Sequence, residues 1–406
     1  MPQTAWWKQP YHQTRRLAAH WWLQRHPQVT VIGVTGSYGK TNTVRAIQTV
    51  LAEKFKVLPT EINLDTNYNL PITLLRLRNH QKLVLEYGVD HAGEMATHLQ
   101  LVTPSVAVVT GINPTHAEPE LLGSLQGIIK EKSQLFARAG LTILNKDDPD
   151  VQQMKPAGKV WWYSTQGQAD FWADQIRVNL QGTSFRLHCR STSEEAFGHH
   201  PRRNFHTGLV GRHFVQACLA AAAVGVHEGV GWPQIKAGLA KLTPLRGRLS
   251  LEPGPRGSTW LNDALRANPA STLAGLQTLA DLPTKNKRLA VLGEMGELGD
   301  QAEKEHRRVG RAVARLKIDY LIGVGPLQKL AVAASQMPKD KAFAVSNVQE
   351  AAAALKKILR QGDLVYLKGS LLRHMERVLL ILQGQPVGCP KVVCDHYDQC
   401  PTCAEL

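Results

Sequence analysis

Short apolar runs alternate with longer amphipathic stretches over the first 150 residues of this 406-residue chain. Runs rich in β-branched residues predict buried strands, and stretches whose apolar positions recur every three or four residues predict helices. The predicted strands are 29–35, 56–59, 82–87, 105–109 and 141–144, with helices over 42–55 and 124–138. This alternation predicts an α/β fold with a mostly parallel, doubly wound sheet.

The alternation is interrupted after residue 150 and begins again near residue 245. Aromatic and β-branched residues over 159–190 predict an antiparallel extension of the sheet, followed by a polar loop over 191–204 and helices over 211–226 and 232–242. A proline and glycine pair near Pro244 predicts a domain boundary. Beyond it, strands are predicted near 258–262, 288–292, 319–323 and 364–367. The predicted segments are therefore 1–28, 29–244, 245–386 and 387–406.

The first strand leads into a glycine-containing loop that is typical of phosphate binding. Its residues are Gly36, Ser37, Tyr38, Gly39, Lys40 and Thr41, with Asn42 opening the next helix. The glycines allow a tight turn, Lys40 supplies a positive charge, and Thr41 places a hydroxyl where it reaches Mg²⁺. The spacing is shorter than in the usual P-loop, because Val34 stands where another glycine is expected. We predict an ATP site.

Three further side chains are expected at the same edge of the sheet. Glu86 ends a strand, His116 lies in a loop after the next strand, and Lys132 lies in the middle of the following helix. Ligands of parallel sheets gather at the carboxyl ends of the strands, so these groups are candidates for holding ATP with one or two Mg²⁺ ions. A polar loop over 60–71 is too long to be a simple connection.

Composition restricts the location and the partners of the chain. The formal charge of +15 favours anionic partners, but the basic residues are spread along the chain, so nucleic acid is not expected. No apolar run is long enough to span a bilayer and no secretory signal is recognisable, which predicts a cytoplasmic protein. Residues 1–28 carry Trp6, Trp7, Trp21 and Trp22 together with several basic residues, and an amphipathic helix is predicted from Tyr11 onward. Residues 6–25 are expected either to contact the inner face of the membrane or to dock on the first domain.

Four of the six cysteines lie in the last eighteen residues. They are Cys389, Cys394, Cys400 and Cys403. Four soft ligands, with one pair at two-residue spacing, can enclose a tetrahedral Zn²⁺, and a small module of this kind needs its metal to fold. An iron–sulfur cluster is a weaker alternative, and unligated thiols are the other alternative.

Several short strings occur in one consistent order. They are Gly-Val-Thr-Gly-Ser-Tyr-Gly-Lys-Thr at 33–41, Leu85-Glu-Tyr-Gly, Gly93-Glu-Met, His116, Gly123-Ser-Leu, Glu131-Lys-Ser, Asn145-Lys-Asp-Asp, Gly211-Arg-His, Arg246-Gly-Arg, Asn262-Asp, Ala267-Asn-Pro, Leu292-Gly-Glu-Met-Gly-Glu-Leu-Gly and Leu367-Lys-Gly-Ser. Through them the chain resembles the Mur ligase family over residues 29 to 384. The resemblance implies a P-loop domain and a smaller Rossmann-like C-terminal domain.

The resemblance also implies a reaction and a role for each site residue. The family joins an amino acid or a dipeptide of the D-alanyl-D-alanine type to a carboxylate of a cell-wall precursor, through an acyl phosphate made with ATP. Lys40 would hold the transferred phosphate, while Thr41, Glu86 and His116 would bind Mg²⁺. Lys132 lies where several members carry a carbamylated lysine. Arg248 and Asp263 would reach the nucleotide from the second domain.

Departures from the family pattern leave other functions open. Gly211-Arg-His is followed by Phe214, and Ala217 stands where an asparagine near the adenine is expected. The front segment is short, so the UDP-binding domain of the family is expected to be missing and its role to be taken by a protein partner or by the membrane. One alternative is a related ligase that amidates or extends a different lipid-linked or polymeric acid. The other is a catalytically weakened, basic P-loop binding protein.

Overall fold

The computed structural model describes residues 9–61, 65–113, 121–190, 203–296, 298–389, 391–394, 400 and 403. The chain forms two compact units. The first contains the described residues of 1–177, 184–207 and 213–242, and the second contains those of 178–183, 208–212 and 243–406. The predicted boundary near Pro244 lies beside Thr243, where the long part of the second unit begins.

A nine-stranded sheet, ordered β2-β3-β1-β4-β5-β6-β7-β8-β9, is the centre of the first unit. Its strands are β1 Thr30–Thr35, β2 Val57–Pro59, β3 Lys82–Glu86, β4 Val106–Val109, β5 Leu141–Asn145, β6 Lys159–Ser164, β7 Phe171–Asn179, β8 Gly182–Cys189 and β9 Arg203–Thr207. The helices described in this unit are α1 Gln9–Gln24, α2 Lys40–Leu51, α3 Thr66–Leu75, α4 Glu94–Leu101, α5 Leu125–Ser133, α6 Phe214–His227 and α7 Trp232–Ala240.

The position of β1 in this order explains where a ligand is expected. It lies between β3 and β4 and is parallel to both, with Val34 opposite Glu86 and Thr35 opposite Val109. The chain passes from β1 to β2 and β3 on one side and continues with β4 on the other. Such a change of direction opens a crevice at the carboxyl ends of the strands. The loop after β1 lies at that point, and the predicted α/β fold is confirmed.

Two details of the first sheet differ from the prediction. The segment 60–71, predicted as a polar loop, contains the start of α3, because Asp65 caps the helix by accepting a hydrogen bond from the Asn67 amide and Pro71 is tolerated inside it. The antiparallel extension is wrong for the first added strands. β6 is parallel to both β5 and β7. The connection from β5 to β6 passes through a 3₁₀ turn at Val151–Gln153 and returns the chain to the same end of the sheet.

Helix α1 is docked on the first unit along one face. Ala19 is fully buried, the Trp22 indole donates a hydrogen bond to the Leu77 carbonyl (2.9 Å), and Arg16 donates to the Thr97 carbonyl (2.7 Å). The opposite face leaves Leu17 and Trp21 in solvent. Docking through aromatic side chains is therefore one function of this segment. Among the described residues, no helix is both long enough and apolar enough to span a membrane.

The second unit contains a six-stranded sheet ordered β10-β11-β15-β12-β13-β14. Its strands are β10 Ser250–Pro253, β11 Thr259–Asp263, β12 Arg288–Gly293, β13 Tyr320–Val324, β14 Ala342–Val345 and β15 Leu364–Lys368. Its described helices are α8 Pro269–Asp281, α9 Ala302–Arg315, α10 Gln328–Ser335, α11 Val348–Ile358 and α12 Arg377–Leu382. Only β10 is antiparallel to its neighbour, whereas the other pairs are parallel. The four strands predicted here are present.

The C-terminal cysteine segment is held by a buried arginine. The Arg377 guanidinium, 1% exposed as a residue, donates hydrogen bonds to the carbonyls of Cys389 (3.3 Å) and Lys391 (2.6 Å). The Cys394 amide donates to the Leu372 carbonyl (2.9 Å). A buried charge needs such partners, so these contacts make the segment part of the second unit.

Candidate nucleotide and metal site

The loop after β1 is held in a turn that depends on its glycines. Gly36 has φ +147° and Gly39, which precedes α2, has φ +80°. A Cβ atom on Gly36 would stand 2.1 Å from the Thr110 hydroxyl, and the Ser37 amide donates to the Gly111 carbonyl (2.6 Å). The phosphate loop is therefore packed against the loop that follows β4. This close approach leaves a turn with backbone amides at the start of a helix, the arrangement that binds phosphate.

Lys40 and Thr41 open helix α2 and place their polar groups at this loop. The Lys40 ammonium donates to the Gly36 carbonyl (2.9 Å), so it folds back along the turn. The Thr41 hydroxyl donates to the Glu86 carboxylate (3.1 Å) at the end of β3. Hydroxyl and carboxylate oxygens are the ligands that Mg²⁺ prefers, together with phosphate oxygens. The residues present therefore fit ATP with Mg²⁺.

Lys132 is buried in α5, and the charges of Lys40 and Glu86 act on its amine. The residue is 3% exposed. Burial and the positive charge of Lys40 lower the pKa of the Lys132 amine to about 7, against the opposing effect of the nearby Asp90, Glu131 and Glu86 carboxylates. A large part of this lysine is consequently uncharged and nucleophilic near neutral pH. Lys130, two residues earlier on the same helix, is exposed.

Not every carboxylate near Lys132 is available to a metal. Glu131 accepts hydrogen bonds from the Met95 amide (2.8 Å) at the start of α4 and from the Gln134 side chain (2.9 Å). Asp90 lies in the loop after β3 and acts on Lys132 through its charge. Sequence reasoning missed Asp90, although its place four residues after Glu86 was a usable signal.

Asp148 is a second residue that sequence reasoning left without a role. It is buried, and its carboxylate accepts hydrogen bonds from the Tyr38 hydroxyl (2.7 Å) and the Ile112 amide (2.9 Å). The amides of Asp150 and Val151 donate to its other oxygen, both at 3.0 Å. Burial and the Asp148 charge raise the pKa of the Tyr38 phenol well above its ordinary value. Asp148 thus links the phosphate loop to the loop after β4.

We expect Asp148→Ala to destabilise the protein by about 3 kcal/mol and to raise KM for ATP, because buried donors lose their acceptor and the phosphate loop loses its support. Tyr38→Phe removes one of these bonds and is expected to cost about 1 kcal/mol. Urea denaturation and ATP titration measure both effects. Asp150→Ala, whose side chain accepts from Gln153, is the control and should change stability by less than about 0.5 kcal/mol. Equal losses for Asp148→Ala and Asp150→Ala would contradict this role.

The start of α6, where the sequence departs from the family pattern, carries a polar side chain with a hydrogen-bond partner. The Gln216 side chain donates to the Asp147 carboxylate (3.1 Å), which also accepts from the Thr165 amide and hydroxyl, both at 2.7 Å. Gln216 stands one position before Ala217, where the family pattern predicts an asparagine. An amide side chain is therefore still present at this helix start, and it is ordered by the Asn145-Lys-Asp-Asp string.

The remaining predicted site residues are distributed as follows. His116 lies outside the described residues. Asn42 lies in the first turn of α2, within the site. Arg248 and Asp263 belong to the second unit, and their contact with a nucleotide stays a prediction.

The Asp263 carboxylate accepts hydrogen bonds from the Lys368 ammonium (2.6 Å) and the Tyr366 hydroxyl (3.1 Å). Burial raises its pKa, and the Lys368 charge opposes the shift.

The four cysteines of the tail do not form one compact set of ligands. Cys389, Cys394 and Cys400 are buried, Cys403 is partly exposed, and none of these four described residues is in a disulfide. Within the described part of the chain, one group of three ligand-type side chains has its ligand atoms within 4.8 Å of one another. That group is His374, Glu376 and Cys400, so only one of the four cysteines belongs to it.

Comparisons with known proteins agree with the geometry. The family model described as Mur ligase middle domain matches residues 34–225, and the model described as Mur ligase, glutamate ligase domain matches 247–371. The UDP-N-acetylmuramoyl-tripeptide–D-alanyl-D-alanine ligase of Escherichia coli (strain K12) is 32% identical over an alignment of 372 residues, and the alignment covers 89% of this chain and 78% of that protein. The same enzyme of Bacillus subtilis (strain 168) is 30% identical over 364 residues, covering 88% and 77%.

Solved structures show the same relationship. The crystal structure of MurF from Acinetobacter baumannii matches with a TM-score of 0.81 and 27% identity, over 92% of this chain and 81% of that one. MurF from Thermotoga maritima in complex with ADP matches with a TM-score of 0.77 and 23% identity, over 92% and 84%, which supports the fold. With a phosphate loop, a strand-end glutamate and a buried helix lysine gathered at one sheet edge, and with both family domains matched in order, the chain belongs to the Mur ligase family.

Proposed function

We propose that this protein is an ATP-dependent ligase that joins D-alanyl-D-alanine, or a similar dipeptide or amino acid, to the carboxylate of a muramoyl peptide. The observation that carries the proposal is the grouping of Lys40, Thr41, Glu86 and Lys132 around one phosphate loop. The relatives named for this reaction supply the substrate class. Retention of this set argues against a weakened binding protein.

The reaction divides into two substitutions. A carboxylate oxygen of the acid attacks the γ-phosphorus of ATP, so the bond to the bridging oxygen breaks and ADP leaves. The amine nitrogen then attacks the acyl carbon of the resulting acyl phosphate, loses a proton and expels inorganic phosphate. Negative charge accumulates on the phosphoryl oxygens in the first step, and positioned cations and amides stabilise it. We assign that task to Lys40 and to the loop amides other than that of Ser37, which donates to the Gly111 carbonyl.

Mg²⁺ would neutralise phosphate oxygens when bound, and Thr41 and Glu86 are the described residues that would hold it. His116 is retained as a third candidate. We propose further that the neutral Lys132 amine adds CO₂ at its nitrogen and releases one proton, which leaves a carbamate anion where the protonated side chain would be a cation. The support for this is the burial of Lys132 near the positive charge of Lys40, both of which lower the pKa of its amine. A carbamate there would replace an unfavourable pair of positive charges by an attractive pair.

The test is release of phosphate from ATP in the presence of candidate acids and amines. We expect turnover that requires both a UDP-muramoyl tripeptide and D-alanyl-D-alanine, with a product heavier by the dipeptide minus water. Turnover with a lipid-linked or polymeric acid, but not with the soluble nucleotide sugar, would favour the alternative ligase. Absence of acid-dependent turnover with every pair would overturn the ligase proposal in favour of a binding function.

We propose that the exposed face of α1 contacts an anionic membrane surface from the cytoplasmic side. Tyr11, Leu17 and Trp21 are 63%, 72% and 51% exposed, and the Arg25 guanidinium lies 3.5 Å from the centre of the Trp21 ring. Aromatic and aliphatic side chains beside arginines suit a bilayer interface. This location would bring the ligase close to a lipid-linked acid. A protein partner that presents the acid remains the other prediction.

Combined replacement of Tyr11, Leu17 and Trp21 by serine is expected to reduce co-sedimentation with phosphatidylglycerol vesicles about tenfold, because about 2 kcal/mol of apolar burial is removed. These exposed positions are preferable to a deletion, since Trp22 and Ala19 on the opposite face pack on the first unit. Replacement of the exposed Leu180 by serine, in the turn after β7, is the matched control. Equal, weak binding by the wild type and the triple variant would remove the proposal.

A further inference from the structure

A largely buried group of three different ligand types lies in the second unit, which contains none of the residues assigned to the P-loop. The His374 Nδ1 and Glu376 Oε1 atoms are 3.0 Å apart, and the Cys400 amide donates to the same Glu376 oxygen (3.4 Å). Ligand atoms of all three side chains lie within 4.8 Å of one another. We propose that His374, Glu376 and Cys400 bind a structural Zn²⁺ ion.

The separations suit tetrahedral coordination. Nitrogen, oxygen and sulfur ligands at zinc distances of about 2.0–2.3 Å stand about 3.3–3.8 Å from one another around a tetrahedron. The His374 and Glu376 atoms are already close to this spacing. Side-chain adjustments of about an ångström are enough to bring the Cys400 sulfur to the same centre, and such adjustments require only small rotations.

The backbone fixes the first two ligands on a short, unusual turn. His374 follows a 3₁₀ turn at Leu371–Arg373 and has φ +45° and ψ +52°, the left-handed conformation that non-glycine residues seldom adopt. Its carbonyl accepts a hydrogen bond from Arg377 (3.3 Å). Strained backbone of this kind is maintained where the surroundings impose it, and it occurs often at ligand sites. The turn directs an imidazole and a carboxylate toward the tail.

The tail supplies the third ligand because it is docked on that turn. Arg377 holds the carbonyls of Cys389 and Lys391, and the Cys394 amide donates to the Leu372 carbonyl. Both Cys389 and Cys400 are buried, but only the Cys400 sulfur is among the ligand atoms that lie within 4.8 Å of one another. The Cys403 amide donates to the Cys400 carbonyl (2.9 Å), which keeps the two residues of the Cys-x-x-Cys pair in one turn, while the Cys403 sulfur lies outside the group of ligand atoms within 4.8 Å of one another. We assign the fourth position to Cys403.

The donor set selects the class of metal. Thiolate and imidazole favour Zn²⁺ over Mg²⁺ or Ca²⁺, which prefer oxygen ligands. A centre with four protein ligands is closed and therefore structural rather than catalytic. The ion would fasten the C-terminal tail to the turn after β15. This assignment keeps Cys400 and Cys403 from the four-cysteine prediction and replaces Cys389 and Cys394 by His374 and Glu376.

The experiment is zinc quantification by plasma mass spectrometry on untagged, full-length protein purified without chelators. The wild type is expected to carry about one zinc per chain, and Cys400→Ser and Glu376→Gln less than about 0.2. His374→Asn should lose zinc equally while retaining the backbone, because asparagine tolerates the left-handed conformation. Cys389→Ser, Cys394→Ser and the control Cys189→Ser should retain about one zinc.

Each result decides between alternatives. Loss of zinc from Cys389→Ser and Cys394→Ser, with retention in His374→Asn and Glu376→Gln, would overturn the mixed ligand set in favour of four cysteines. A wild type without stoichiometric zinc, which also fails to bind added Zn²⁺ or Co²⁺, would overturn the site altogether. If a variant does not fold, cobalt substitution of the wild type still tests the assignment. Two thiolates should give about half the charge-transfer absorption per cobalt of a four-thiolate standard.

Discussion

Lys40→Met is expected to lower acid-dependent ADP formation by about 10³-fold or more, because the transferred phosphoryl group loses the cation positioned at its oxygens. The Lys40 ammonium is folded against the Gly36 carbonyl, so it stands inside the phosphate loop rather than at its rim. Steady-state rates with saturating ATP, acid and amine measure the effect. The loss should fall mainly on kcat, since the amides of the loop still bind phosphate.

Lys130→Met is the matched control for this variant. It removes one positive charge from an exposed position of α5 and leaves the phosphate loop intact, so activity should stay within about twofold of the wild type. A Lys40→Met enzyme that keeps more than a tenth of the wild-type rate would contradict the assignment of Lys40 to the transferred phosphate. Thermal melting of all three proteins separates catalytic loss from unfolding.

Lys132→Met is expected to reduce kcat by about 10²–10³-fold, because the site loses a buried group that carbamylation makes anionic. Only the neutral amine reacts with CO₂, and the pKa of this amine is lowered to about 7. Carbamylation should therefore increase as the pH rises through that value and be lost as the pH falls through it. Wild-type activity is expected to fall in the same window and to recover partly on addition of bicarbonate.

Carbon-13 NMR of protein equilibrated with labelled bicarbonate provides a readout that does not depend on activity. One carbamate signal is expected in the wild type and in Lys130→Met, and no such signal in Lys132→Met. Because Lys130 and Lys132 share one helix and differ in burial, a signal retained by Lys132→Met would assign the modification elsewhere and refute the proposed role.

The sequence predicts the strands and the phosphate loop well because their signals are local. β-Branched runs form β1, β4 and β5, and the glycines around Lys40 carry their own turn geometry. Helix α3 was missed because its stretch of asparagines around a proline has low helix propensity. The helix forms because the Asp65 cap and the burial of Leu70 and Leu74 outweigh that propensity.

Residues that act through distant contacts were harder to find. Asp148 supports a loop more than a hundred residues earlier, and no local pattern distinguishes it from Asp147. The depressed pKa of Lys132 depends on burial and on Lys40, neither of which spacing alone reveals. In the tail, sequence spacing grouped four cysteines, whereas the fold brings His374 and Glu376 to Cys400 from a turn that precedes the cysteine segment in the sequence.

The hydrogen bonds that Arg377 donates to the tail constrain the backbone of the tail rather than its side chains. The Arg377 guanidinium contacts main-chain carbonyls at Cys389 and Lys391, and every residue type presents a carbonyl. Substitutions at those positions are therefore compatible with these hydrogen bonds as long as the backbone conformation of the segment is kept. A nonsense mutation that ends the chain before residue 389 would remove both of these acceptors at once and leave the Arg377 guanidinium with only the carbonyls of Arg373 and His374. Selection would accordingly tolerate substitution in the tail far more readily than its loss.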